Sequence, residues 1–323
     1  MRRPSAAGYL SAWTSMVGAL AGTLRALGGS VSLTEVAALS GHAFRFAITT
    51  APEGAIGADG PNAFAASSAL PLYEGLGWRL AAWEVAAGDA EFTARRVQAL
   101  RLLRSCLDHG RPAILFGLHL PEFGVVRGYA GDDLLASTVV SSQYGERIPA
   151  AQWPAPGRPL PLRLFLPERR AKNDRRLALV QALRFAVAYA RQGEVGVVVS
   201  AEPITATGLA AYRRWIELLE DEAPISSHGQ AYCIQALQEA RGQASAFLRA
   251  DAQREATLRP QLEAAATAYG AEVAALSQLA TLFPYPNGGP VNSAGMRRAG
   301  AAAVRRALAA EEQAITALEH IVL

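Results

Sequence analysis

Trp13, Met16, Val17, Leu20, Leu24 and Leu27 recur at steps of three and four residues, so the pattern predicts an amphipathic helix over 11–27, with Gly28 and Gly29 following as a C-cap would. Ser32-Leu-Thr-Glu35 places a hydroxyl three residues before a carboxylate, the capping-box arrangement, and predicts a second short helix ending near Ser40 and Gly41. Residues 50–63 are rich in Gly, Pro, Asp and Asn and read as a surface loop, one that can lie over a site. Helical periodicity returns over 91–108 and breaks at His109-Gly-Arg-Pro112.

Four apolar runs follow, at 113–120, 123–129, 134–140 and 160–166, separated by Pro or Gly-Asp-Asp turns. Connections this short demand antiparallel pairing, so the middle of the chain reads as a meander or small half-barrel. A helix is expected from Asp174 to about Arg191, with Asn173 or Asp174 as its N-cap, then a strand over 195–200. Helices at 208–219, 228–250, 255–282 and 293–321 complete the chain, the last two parted by Phe283-Pro-Tyr-Pro-Asn-Gly-Gly-Pro290, which no helix crosses. The expected fold class is α+β: a mixed domain over 1–204 with an antiparallel central sheet, then a helical domain over 205–323.

With 323 residues, 51% of them apolar and 18% charged, the chain has ample material for a buried core, and intrinsic disorder is excluded as a global description. The formal net charge is +3, and all but one of the basic residues are arginine, the exception being Lys172, which reads as codon bias. A balance this close to neutral gives no ground for a nucleic-acid partner, and the cluster Arg169, Arg170, Lys172, Arg175 and Arg176 lacks interleaved aromatics that stack on bases. Cys106 and Cys233 stand far apart without metal-ligand spacing and read as small buried thiols in a reducing cytoplasm. Arg2 and Arg3 before the mildly apolar run 8–24 outline a secretory signal, but Ser11, Thr14, Ser15 and Thr23 dilute it, so the run is assigned to the first helix and no membrane partner is expected.

Familiar catalytic signatures are missing: no Walker loop, no Gly-x-Gly-x-x-Gly after a strand, no His-Glu-x-x-His and no Gly-x-Ser-x-Gly elbow. Glu311, Glu312, Glu319 and His320 in the last helix do not repeat the Glu-x-x-His pairs of a bundle metal site, so they read as solvent-face charges and no metal or other cofactor is expected. His119, between Leu118 and Leu120 and close to Glu122, is read as alternating along a strand, where it pairs with that carboxylate or serves as a structural histidine at a strand end. His42 follows the Gly41 turn. Arg45, between Phe44 and Phe46, is either an anion clamp for a ligand or half of an internal salt bridge. Trp78, Trp83, Tyr212, Trp215 and Tyr269 are placed at helical spacing or near turns, as core aromatics or as the wall of a pocket.

Leu20, Leu24 and Gly28 keep the spacing of a helix written Cys-Gly-x-x-x-Leu-x-x-x-Leu-x-x-x-Gly, and Glu122-Phe-Gly-Val-Val-Arg-Gly-Tyr129 that of a strand written His-x-x-x-Val-x-Gly-Tyr. These patterns resemble the papain-like fold of bacteriocin-processing cysteine peptidases and the N-terminal part of acyltransferases of the butirosin protein H type. The segments 39–46, 208–215, 228–232 and 246–248 resemble parts of bacterial relatives of the same group. The resemblance places Ser15 at the nucleophile position, Thr14 at the oxyanion-hole position and Glu122 at the position of the catalytic histidine; one turn of slippage would put Ser11 in place of Ser15.

Thiolate chemistry needs a sulfur beside an imidazole, and this chain has neither at those positions. The resemblance therefore implies a degenerate peptidase-like domain that binds a small ligand or peptide in the old cleft, with Ser15, Glu122 and His119 at its centre and His42, Arg45 and Tyr129 as ligand-binding residues. Two alternatives stand beside it: an acyltransferase, and a structural partner whose C-terminal helices supply a homodimer face.

Overall fold

A computed structural model describes residues 8–172, 174–221 and 223–322. Helices α1 (Ser15–Ala26) and α2 (Leu33–Leu39) precede strands β1 (Ala47–Ala51) and β2 (Gly54–Ala55), and α3 (Ala66–Glu74), β3 (Trp78–Val85) and α4 (Phe92–Asp108) follow. Next come β4 (Ala113–Phe116), β5 (Phe123–Ala130), β6 (Asp133–Ser137), the one-turn α5 (Ser141–Tyr144), β7 (Arg147–Pro149) and β8 (Leu162–Arg170). After α6 (Arg175–Gln192) and β9 (Ile204–Thr207) the chain is helical, through α7 (Leu209–Glu220), α8 (Ser227–Ala252), α9 (Arg259–Leu282) and α10 (Ala294–Val322).

The chain is thus a mixed α and β protein, and every ladder between its strands is antiparallel. It divides into two compact units that interleave in sequence, where the sequence suggests one cut after residue 204. The first comprises Met1–Val36, Phe64–Asp174 and Gly196–Ala201; the second comprises Ala37–Ala63, Arg175–Val195 and Glu202–Leu323.

The first unit is built on a six-stranded sheet of order β3-β8-β4-β5-β6-β7. The meander reading describes β4 through β6, and the short β7 extends it at the edge. The fourth apolar run, now β8, instead crosses back to lie between β3 and β4, because the connection after Pro149 is long enough to span the sheet. Trp78 and Trp83 belong to strand β3, not to a helix. α4 covers one face over a core that includes Leu103, Val126, Leu134, Trp153 and Leu164. α1 packs on β4 and β5. Its residues from Ser15 to Leu24 are all buried, so the signal-like run 8–24 includes a core helix, while Arg2 and Arg3 lie outside the described residues.

The helix starts later than its periodicity suggests because residues 8–10 run across it. Leu10 N donates to Gly18 O at 3.2 Å, and a Cβ on Gly18 or Gly22 would stand 2.0 or 1.9 Å from the carbonyls of Leu10 and Gly8. The capping box forms as expected: Ser32 N donates to Glu35 Oε2 at 3.2 Å and Glu35 N donates to Ser32 Oγ at 3.1 Å.

The second unit joins the small sheet β2-β1-β9 to helices α6 to α10. Phe46, Ile48, Trp215, Leu237, Leu276 and Val304 are among its core side chains. The strand expected at 195–200 does not form: Val195 and Val197 are 65% and 81% exposed, and β9 starts at Ile204. Nor is 50–63 a solvent-facing loop. Ile56, Asp59 and Asn62 are buried, and the Glu202 carboxylate gathers the segment by accepting from Thr49 Oγ1 at 2.7 Å and from Asp59 N at 3.1 Å. Asn173, one of the two expected caps of α6, lies outside the described residues, and the helix begins directly after Asp174. Among the described residues, no helix is long and apolar enough to cross a membrane.

Candidate functional site

Ser15 is the first residue of α1 and is 1% exposed. Thr14 precedes it in extended conformation and is also buried. Because α1 lies on β4 and β5, the Ser15 hydroxyl meets the first residue of β5: Oγ accepts from Phe123 N at 2.9 Å. Glu122 is the residue immediately before. Ser15 at the start of the helix thus contacts the backbone of the residue that follows Glu122.

The loop carrying Glu122 is closed by its own backbone. Gly117 N donates to Glu122 O at 3.0 Å, and Glu122 N donates to Leu120 O at 2.7 Å. Gly117 has φ +76°, a left-handed conformation that ends β4 at Phe116. His119 therefore sits in this loop and not on an alternating strand. Its Nε2 lies 3.2 Å from Gly145 O, and its ring stacks on Tyr144 at 5.5 Å.

Beneath the Ser15 contact lies an aromatic layer of Phe64, Phe116, Phe123 and Phe165. The buried Arg163 guanidinium stands 4.3 Å over the Phe64 ring and 5.0 Å over Phe123, donating to Glu84 Oε1 at 2.7 Å and to Phe64 O at 3.0 Å. This cation was not legible as a core residue, although its position directly across from Glu84 in the β3/β8 ladder makes it a cross-strand pair.

Tyr129 shares parity with Phe123 but not its face. A bulge between Val126 and Gly128 turns the strand over, so Tyr129 packs with the α4 core, donates to Asp108 Oδ1 at 2.8 Å and lies under Arg104. His42 and Arg45 belong to the other unit. His42 is buried in a single 3-10 turn following Gly41, whose φ is +80°. Of the two readings of Arg45, the structure shows the internal salt bridge: the guanidinium is bound to Glu194, with both side chains buried, and lies 4.4 Å over the Phe185 ring.

Both thiols are inaccessible. Burial pushes the Cys106 thiol up to about 11 against a smaller opposing pull from Arg111, and burial followed by Glu202 and Asp59 raises Cys233 as well. Neither is a nucleophile at neutral pH. Among the described residues, no three His, Cys, Asp or Glu side chains converge as metal ligands would.

A cavity of about 240 Å³ opens within the second unit, between the last turn of α6 from Ala190 to Gly193, Thr207 and the first turn of α7. Arg191 and Arg213 flank it. Each is held by a carboxylate of α10, Arg191 by Glu319 through two bonds of 2.8 and 3.0 Å and Arg213 by Glu312 at 2.9 Å. The residues Gly208-Leu-Ala-Ala-Tyr-Arg-Arg held the signal for it, a helix start with two arginines, which periodicity alone does not distinguish from any other helix. No protein-family model matches the chain, and no curated protein matches it.

Proposed function

We propose that the protein is a catalytically silent, papain-like protein that acts by binding a small ligand or peptide. The observation that carries the reading is the bond from Phe123 N to Ser15 Oγ. It supports the reading in two ways. It joins the helix start and strand start that the resemblance pairs, and it gives the buried hydroxyl at the nucleophile position a structural task, accepting from a backbone amide. A carboxylate at position 122 is a weak base unless strongly desolvated, which leaves serine without the activation that acyl transfer requires.

The acyltransferase alternative has no accessible nucleophile among Ser15, Cys106 and Cys233. The test is intact-mass analysis of the native full chain after incubation with an acyl N-acetylcysteamine thioester and, separately, with a fluorophosphonate. The reading predicts no adduct with either. A stoichiometric adduct mapped to Ser15, Cys106 or Cys233 overturns it in favour of acyl transfer.

A further inference from the structure

The helices of the second unit close around charge as well as hydrocarbon. Arg241 of α8 is 1% exposed and donates through Nε to Glu311 Oε2 at 2.8 Å and through Nη2 to Glu311 Oε1 at 3.2 Å. The same Nε stands 3.4 Å from Glu272 Oε2 of α9, so two carboxylates from neighbouring helices reach for one guanidinium nitrogen. Tyr212 of α7 accepts from Arg241 Nη2 at 3.0 Å and donates to Glu272 Oε1 at 2.5 Å. Arg241 Nη1 leaves the helices altogether, donating to Ala43 O at 2.7 Å and Arg45 O at 3.3 Å. Glu311, read from sequence as a solvent-face charge, is 2% exposed.

The remaining neighbours do not balance the charge. Tyr269 of α9 lies with its ring 5.7 Å from the Arg241 guanidinium. Tyr189 of α6 is bound to Phe46, donating to its O at 2.7 Å and accepting from its N at 3.2 Å, and the Arg45 and Glu194 beside it neutralise each other. His42 is buried in the turn that Arg241 holds. Burial pushes Tyr189, Tyr212 and Tyr269 well above their ordinary range, so all three stay neutral. One cation then faces two carboxyl groups, and full ionisation of both leaves a net negative charge in a place closed to water. Among the described residues, neither Glu272 Oε2 nor the Tyr269 hydroxyl has a hydrogen-bond partner.

The geometry points to a proton-gated clasp: a proton on the Glu272 carboxyl keeps Arg241 available to the carbonyls of Ala43 and Arg45, and its loss as pH rises releases the His42–Arg45 turn. With the proton in place the cluster is neutral, and Arg241 divides its donors between Glu311 and the turn. With it removed, Glu272 competes for the guanidinium, and the excess charge is relieved by admitting water where Arg241 holds the carbonyls of Ala43 and Arg45. Burial raises the Glu272 carboxyl well above the usual range, the Glu311 charge adds to this, and Arg241 opposes it.

The sign follows from linkage. A carboxyl raised in the folded state binds its proton more tightly there than in the opened chain. Its contribution to stability is therefore full below the ordinary carboxyl range and is lost as pH rises through the raised value, by about tenfold in the closing equilibrium per pH unit.

The experiment measures tryptic cleavage after Arg45 in the native full chain, as the ratio of wild type to Glu272→Gln at each pH. Glutamine keeps the acceptor for Tyr212 without the charge. The ratio is expected to be flat below the ordinary carboxyl range, to climb about tenfold per pH unit above it, and to level off once Glu272 titrates in the folded protein. A ratio independent of pH overturns the proposal. Infrared spectroscopy of the wild type needs no variant: a protonated-carboxyl band is expected to persist above the ordinary carboxyl range, with cleavage levelling off at the pH where the band disappears, and a band lost within the ordinary range overturns the proposal. Should Glu272→Gln fail to fold, Glu311→Gln removes the same second charge and carries the same expectation.

Discussion

Replacing Ser15 with alanine tests whether its hydroxyl is a structural acceptor. The substitution removes the acceptor of the Phe123 N–H and strands that donor, since position 15 is 1% exposed. The lost bond and the unsatisfied donor together cost about 1–3 kcal/mol. Alanine returns at most about 0.5 kcal/mol of helix propensity at a first-turn position. The expected net loss is about 2 kcal/mol, or about 4–8 °C in melting temperature for a unit of this size. Urea unfolding followed by tryptophan fluorescence reads the correct unit, because Trp13, Trp78, Trp83 and Trp153 lie in the first unit and only Trp215 in the second. The unfolding slope should not change, as the same surface is exposed. A loss below about 0.5 kcal/mol would show that the hydroxyl does not satisfy the Phe123 amide and would refute the structural role.

Arg45→Met leaves Glu194 buried without its partner and is expected to cost about 3–5 kcal/mol, whereas Arg45→Met with Glu194→Met costs much less; equal losses in a double-mutant cycle, followed at Trp215, would contradict a closed ion pair. Gly22→Ala would ordinarily gain about 1 kcal/mol in a helix, but here its methyl meets Gly8 O, so a net loss of about 1–3 kcal/mol is expected, and a rise in melting temperature would show that residues 8–10 do not lie on α1. Cys106 and Cys233 should resist a disulfide reagent at pH 8 in the native protein and react fully in urea; prompt native labelling of either would show that its burial is wrong.

Local chemistry was the most legible part of the chain. The capping box at Ser32 and Glu35, the helix ending at Asp108, and the proline-rich break after α9 each depend on neighbours in sequence, so residue type alone specified them. Long-range pairing was not legible. β3 carries Trp78 and Trp83 at a spacing that also suits a helix, and only its ladder with β8 makes it a strand. Nor is the bulge after Val126 written in residue types, although the one extra residue reverses every side chain beyond it, Tyr129 included. Glu311 was misplaced because a charged residue looks solvated until its partner, here Arg241, is seen beside it.

At the candidate site the sequence pointed to Ser15 and Glu122, and Ser15 contacts the backbone of Phe123, the residue after Glu122. It misjudged His119, because the left-handed Gly117 ends the strand three residues before position 120. Of the three residues grouped as ligand-binding, His42 and Arg45 belong to one unit and Tyr129 to the other.

The central claim, that α1 and β5 form a papain-like frame emptied of its chemistry, is tested most directly by putting the chemistry back. Titration of the thiol in Ser15→Cys, alone and combined with Glu122→His, reads the geometry through electrostatics: an imidazolium held at the start of β5 lowers the thiol pKa by several units relative to the single variant. The account predicts that lowering, with thiolate appearing at markedly lower pH in the double variant. Identical titrations in the two variants would show that position 122 does not face position 15 across the junction, and the papain-like reading would fall.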